Sequence, residues 1–225
     1  MFIMMNAARY AVGVQGIAIS ERAYQKAVQY AAERVQSRPV DGSVKGSATI
    51  VHHPDVRRML MTMRALTEGC RAMASSAAAA YDAAHHHPDA EVRRQNQTFY
   101  EFMVPLVKGY STEMSLEVTS LGVQVHGGTG FIEVPGAAQH YRDARILPIY
   151  EGTNGIQALD LVARKLPLEG GKVVAAYIGE LQKTVEEVRA SNRPEFGRMG
   201  ERLGEAVAAL SEASRWIGGA LQKNP

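Results

Sequence analysis

The chain has 225 residues, of which 46% are hydrophobic and 21% charged, with a formal net charge of +2 at pH 7. That content supports a sizeable core in one large or two small domains and argues against wholesale disorder. Basic and acidic residues are mixed with no phosphate-tracking stripe, no apolar stretch is long enough to span a bilayer, and the single cysteine, Cys70, fits a reducing, cytoplasmic compartment.

In chain order, Phe2 to Gln36 reads as one long amphipathic helix, in which Gly13 and Gly16 signal close approach of a neighbouring helix. Its opening residues are apolar, but Arg9 interrupts them and no basic leader precedes them, which argues against a signal peptide. SRPVDGSVKGSATIVHHP has the Pro, Gly, Ser and Asp content of a loop. A second helix starts near Pro54–Asp55 and runs through Met59, Met63, Leu66, Cys70 and Met73 to about Ala84. Its methionines read as core filling and its thiol as buried and inert. After HHHPD a third helix extends from about Ala90 to Val125, with Pro105 as a point for a kink.

HGGTGF reads as a tight glycine-rich turn, and a shorter element follows near Pro135–Tyr141. Thr153 or Asn154 then serves as N-cap for a helix whose Ile156, Leu159, Val162 and Leu166 recur at helical spacing and are expected to pack one face. Pro167 and Gly170–Gly171 mark a boundary, beyond which two more amphipathic helices fit, roughly Val173–Ser191 and Pro194–Gln222. With no strand-length alternation between turn signals, the pattern implies an all-α, up-down bundle.

Candidate chemistry is sparse. Glu151 stands between a Tyr and a Gly on a loop held by the helix that follows, a position that suits a functional carboxylate. The plainer reading is a solvated charge near a helix N-terminus. His52, His53 and Asp55, or Asp82 with His86, lack a full ligand set, so no metal is expected. No G-x-S-x-G or H-E-x-x-H occurs. The HGGTGF glycines, without a preceding strand, form a turn that a ligand could approach closely rather than a dinucleotide fingerprint.

QVHGGTGF (124–131) followed by RDARILPIYEGTNGIQ (142–157) resembles the C-terminal signature of the acyl-CoA dehydrogenase family. NAARYAVGVQGIAISERAYQKAVQYAAER (6–34) is similar to the first helix of that family's C-terminal α-domain. The resemblance covers residues 1–166 and implies a four-helix bundle there. Residues 167–225 resemble the C-terminal extension of a longer-chain subgroup that includes enzymes acting on methylthiopropanoyl-CoA. The family's N-terminal helical domain and middle β-domain have no counterpart in these residues. The chain is therefore expected to be the catalytic C-terminal portion of such an enzyme, weakly active or inactive alone; the alternative is a non-catalytic helical assembly module.

The resemblance further implies FAD as cofactor, an acyl-CoA substrate oxidised to its trans-2-enoyl form, electron-transfer flavoprotein as electron acceptor, and a homo-oligomer whose flavin sites are shared between subunits. It implies Glu151 as the base that removes the α-proton while the β-hydride passes to the flavin. Arg34 then reaches the flavin pyrophosphate of a neighbouring subunit, with Gln36 nearby. Gln124, Gly127 and Gly128 lie along that flavin's adenosine part, and Thr153 touches the flavin beside the base. Asn6, Arg9 and Gly152 contact substrate, and Arg142 with Asp143 forms a structural ion pair. Three departures stand out: Ser37–Arg38–Pro39 replaces a Phe-Gly, Gly155 replaces a Gln that touches the cofactor, and the segment from Thr153 to Arg164 is one residue longer.

Overall fold

In the computed structural model, which describes residues 2–191 and 193–223, three long helices carry the architecture: α1 (Phe2–Glu33), α2 (Pro54–His86) and α3 (Ala90–His126). Helix α3 is the axis against which the other two pack. The chain directions follow from paired positions. Gly13, Gly16 and Ala23 of α1 meet Val107, Ser111 and Gly122 of α3 in rising order, so these two helices run parallel. Met63 of α2 lies by Gly122, whereas Ala74 accepts from Tyr10 Oη, so α2 runs opposite to both.

The two glycines of α1 have the role read from the sequence. A Cβ at Gly13 would lie 2.7 Å from Val107 Cγ1, and one at Gly16 would lie 2.8 Å from the Ser111 carbonyl oxygen. Hydrogen in place of a side chain lets the two helices approach closely. Further along α1, Ala23, Ala27 and Ala31 at helical spacing are buried with Met59, Met63, Val118 and Val125. A second cluster joins Cys70, Ala74 and Ala77 of α2 to Phe102, Met103, Val104 and Val107 of α3. Helix α3 continues through Pro105, which is buried.

Helix α1 stops at Glu33 rather than Gln36. Residues 34–36 are extended instead and pair across the loop, with Val35 bridged to Thr49 and Ile50 N donating to the Arg34 carbonyl at 2.8 Å. Ser37, with φ 57°, turns the chain just beyond. After α3, Gly127 (φ 60°) ends the helix and leads into the single turn α4 (Gly128–Phe131), then α5 (Ala137–Ala144).

Helix α6 (Asn154–Asp160) runs on into a π turn over Leu161–Lys165, closed by Leu166 N on the Leu161 carbonyl at 2.8 Å. A turn of this width takes up one residue more than an α turn. Asn154 lies by Lys108 and Lys165 by Glu101, so this segment descends antiparallel to α3 and forms the fourth limb of an up-down bundle. Three successive left-handed residues, Glu169, Gly170 and Gly171, then redirect the chain into a hairpin of α7 (Lys172–Ala190) and α8 (Met199–Lys223). The hairpin is tied to the bundle through Val173 and Tyr177, the latter against Phe99 and Phe102. No helix among the described residues is long and apolar enough to cross a membrane.

Candidate functional site

Two places gather the residues singled out from the sequence. The first is a groove of about 740 Å³ where the end of α1 meets the end of α3. Arg34, Gln36, Gln124, Gly127 and Gly128 all line it, with Tyr30, His53 and His126 beside them. Local contacts hold two segments roughly 90 positions apart as the two walls of this groove. Gln36 N donates to the Ala48 carbonyl at 3.0 Å and His53 Nε2 bonds the Gln36 carbonyl at 2.7 Å, while the Arg34 carbonyl accepts from Ile50 N, so the extended piece after α1 is pinned at both ends. On the other wall His126 is buried, stacked on Tyr30 at 4.4 Å, with Nδ1 bonded to the Gly122 carbonyl. Burial pushes its imidazole below the ordinary histidine value. The guanidinium of Arg34 is exposed, and a Cβ at Gly127 or Gly128 would meet open space. The groove therefore offers one cation, exposed amides and uncovered backbone, a donor set that fits an anionic or nucleotide-like group.

The second place is the corner before α6. Glu151 (φ 54°) and Gly152 (φ 88°) are consecutive left-handed residues. For the glutamate that conformation costs roughly 1–3 kcal/mol, and it persists only where the surroundings enforce it. The enforcement is visible: Gln157 Nε2 donates to the Gly152 carbonyl at 3.2 Å, Asn154 N donates to the Pro148 carbonyl at 3.0 Å, and Tyr150 Oη bonds Gln15. The Thr153 hydroxyl caps α6 by accepting from Ile156 N at 3.3 Å. A Cβ on Gly152 would lie 2.8 Å from Gln157 Nε2 and 3.6 Å from Arg9 Nη2. In the single chain the Glu151 carboxylate is exposed.

Beneath the corner lies a buried polar layer. Arg9 pairs with Asp160 at 3.2 Å, and Asp160 also holds Arg164 at 2.7 Å. Arg9 Nε and Gln157 Oε1 are buried without a hydrogen-bond partner among the described residues. Arg9 and Asn6 are thus both in the interior, Arg9 under Gly152, rather than displayed on a surface. On the other side Lys108, fully buried in α3, donates from Nζ to Asn154 Oδ1 at 2.9 Å. Burial, with Arg9 adding to it, pushes its ammonium down to about 8 while Glu113 opposes the shift.

Three sequence expectations are corrected here. Ile156 and Leu159 do not face the core: they are 44% and 61% exposed, while Gln157 and Asp160 are the buried positions of α6. Hydrophobic spacing fails because this face of the helix is satisfied by hydrogen bonds and an ion pair instead of apolar contact. With Ile146 and Ile149, Ile156 and Leu159 leave exposed apolar side chains on the segments flanking Glu151. Secondly, Arg142 bonds Glu133 at 2.5 Å, and Asp143 accepts from Gln139. Adjacent residues on a helix do not face one another, which favours these partners over each other. Thirdly, α1 ends before Arg34 and Gln36, so both are presented by extended chain.

Lys108, Gln157 and Asp160 were not marked from the sequence. Only Lys108 carried a signal there, as a lone cation in the apolar run VPLVKGY. Among the described residues no three His, Cys, Asp or Glu side chains converge as a metal site would require. The groove and the corner are also far apart. The corner touches α1 at Arg9 and Gln15, the groove begins where α1 ends, and some 18 residues at 1.5 Å each put roughly 27 Å between them.

Residues 3–167 match the family profile described as acyl-CoA dehydrogenase, C-terminal domain. The chain is 56% identical over 218 residues to the 3-methylmercaptopropionyl-CoA dehydrogenase of Ruegeria pomeroyi, covering 94% of this chain and 36% of that protein. It is 31% identical over 211 residues to a butyryl-CoA dehydrogenase of Syntrophomonas wolfei, covering 94% and 34%. Among solved structures, an acyl-CoA dehydrogenase complexed with FAD from Bacillus anthracis matches with a TM-score of 0.63 at 25% identity, over 84% of this chain and 31% of that one. Caenorhabditis elegans ACDH-11 in complex with C11-CoA matches with a TM-score of 0.76 over 98% and 34%, at 22% identity, a likeness of fold alone. The chain spans about a third of the length of these curated relatives.

Proposed function

The chain belongs to the acyl-CoA dehydrogenase family through its C-terminal domain, and we propose that within a complete enzyme it supplies the base for α,β-dehydrogenation of an acyl-CoA thioester to the trans-2-enoyl-CoA. The observation that carries this reading is the Glu151–Gly152 corner: a carboxylate held in a left-handed conformation by Gln157 and by the cap of α6. Strain retained at an exposed carboxylate is hard to explain by stability, and it suits a group that must be aimed.

In the proposed reaction the Cα–H bond breaks towards Glu151, whose carboxylate takes the proton. The Cα–Cβ double bond forms as hydrogen leaves Cβ with its electron pair. A bound flavin would accept that hydride, with electron-transfer flavoprotein as the acceptor that reoxidises it. The Glu151 N–H, turned by the corner, is the donor we assign to the thioester oxygen, where charge develops. A carboxylate exposed to water is too weak a base for this proton, so the reading requires substrate and the rest of the enzyme to cover the corner. The apolar side chains of Ile146, Ile149, Ile156 and Leu159 would favour such covering.

We assign the groove at Arg34, Gln36, Gln124, Gly127 and Gly128 to the pyrophosphate and adenosine part of FAD. Thr153, beside the base, would touch the flavin, and Asn6, Arg9 and Gly152 would border or support the thioester site. Some 27 Å separates groove and corner along α1, more than one flavin contact region would bridge in a single chain, so the reading carries with it a homo-oligomer in which each flavin meets two copies.

The test is Glu151→Gln in the complete enzyme, with 3-methylmercaptopropionyl-CoA as the probe. The variant is expected to keep its flavin but lose bleaching of the flavin absorbance. Bleaching at the wild-type rate would remove Glu151 as the base and leave the assembly-module reading standing.

A further inference from the structure

Resting on that reading of Glu151, we propose that Lys108 is a positioning residue for the reaction, its ammonium clamping Asn154, the first residue of α6, to α3 and so holding the Glu151–Gly152 corner in attack geometry. Lys108 is the largest fully buried side chain of the described residues and sits in an apolar stretch of α3. Burying an ammonium is costly, and an apolar residue of similar length would pack there without that cost. What the cation does is local. Nζ donates to Asn154 Oδ1 at 2.9 Å, while Asn154 Nδ2 reaches the Gly109 carbonyl, Thr112 Oγ1 and Glu113 Oε1 at 3.2, 2.9 and 2.8 Å.

Asn154 is thereby held through both ends of its amide by one turn of α3. Two residues separate it from Glu151, and both are constrained, Thr153 as cap and Gly152 through its carbonyl on Gln157, while Glu151 itself is fixed in a left-handed backbone. A displacement at Asn154 is passed to the carboxylate with little slack.

The clamp titrates. Glu113 on α3 supports the Lys108 charge; Arg9 on α1 opposes it, and Arg9 is itself answered by Asp160 on α6. With its ammonium pushed down to about 8, Lys108 loses the proton as pH rises through that value. The bond to Asn154 then falls from charge-assisted to neutral, which is roughly half as strong. Lys108 thus sets an alkaline limb of the rate profile.

The experiment uses the complete enzyme and single-turnover flavin bleaching by 3-methylmercaptopropionyl-CoA across pH. Lys108→Met is expected to keep flavin and overall fold, slow bleaching by about 100-fold at saturating substrate with KM changed by less than about threefold, and abolish the alkaline limb. Glu113→Gln, at an exposed position that leaves the Lys108 bond in place, is expected to move that limb to lower pH. Bleaching of Lys108→Met at the wild-type rate overturns the proposal, as does a slowed variant whose alkaline limb is unchanged. Should Lys108→Met not fold, Glu113→Gln decides alone: a limb that stays where it was is a refutation. Glu151→Gln run alongside separates the two readings, because normal bleaching there removes the base, whereas failure confined to Lys108 removes only the clamp.

Discussion

Arg9 of α1 and Asp160 of α6 stand 151 residues apart in sequence and form a buried ion pair across the bundle, Nη1 to Oδ2 at 3.2 Å. The pair joins the first helix to the fourth limb directly under Gly152. It also fixes which face of α6 turns inward.

Removing one member should be costly. Asp160→Asn leaves the Arg9 guanidinium buried beside a neutral amide and breaks the Asp160–Arg164 ion pair. The expected loss is about 3 kcal/mol of unfolding free energy, read from the urea midpoint. A change under about 0.5 kcal/mol would mean that the pair is not buried in solution as it is here.

The glycines divide by surroundings. Ala normally stabilises a helix interior over Gly by about 0.5–1 kcal/mol, and Gly69→Ala on the open side of α2 should show that gain. Gly13→Ala and Gly16→Ala should instead lose about 1–3 kcal/mol, because the added methyl meets α3 at 2.7–2.8 Å. Equal and positive effects at all three positions would contradict the close contact of α1 with α3.

At the corner, stability and activity should move in opposite directions for Glu151 and fall together for Gly152. Glu151→Gly removes a left-handed non-glycine residue and should stabilise the fold by about 1 kcal/mol in thermal unfolding. The same variant of the complete enzyme should show no flavin bleaching. Gly152→Ala does the reverse to the backbone, adding a Cβ at φ 88° and 2.8 Å from Gln157 Nε2, and should lose both stability and rate.

The flavin assignment has its own measurement. Arg34→Met in the complete enzyme should weaken FAD retention by about 10- to 100-fold, the worth of a charge-assisted contact of about 1.5–3 kcal/mol. Fluorescence titration of the apoprotein with FAD reads this directly. Unchanged affinity would detach the groove from the cofactor.

The pH dependence of stability follows from His126. Burial holds its imidazole below the ordinary value of 6.5, so the unfolded chain binds the proton more readily than the native one. That contribution is complete above the ordinary value and is lost as pH falls below it. His140, lowered by burial and by Arg22 and Lys26, acts in the same sense. The urea midpoint should therefore drop between about pH 7 and 5, and His126→Gln should flatten that drop. An identical slope in the variant would assign the effect elsewhere.

The order and type of the helices were legible because they rest on local chemistry. The Ala-rich face of α1, the Asp89 cap that opens α3 and the Gly127 that closes it all act within a few residues of themselves. The proposed base, Glu151, could be singled out for a similar reason, since the motif around it is contiguous. The layer that holds it was not. Nothing in the sequence marks Asp160, and Leu159 reads as a core residue, yet Asp160 is buried and Leu159 exposed. Only the crossing of α1, α3 and α6 brings Arg9, Lys108, Gln157 and Asp160 together, and burial at that crossing turns exposed-looking polar groups into a framework. Local sequence carries propensity and capping; which side of a helix loses its water depends on the helices that arrive from elsewhere in the chain.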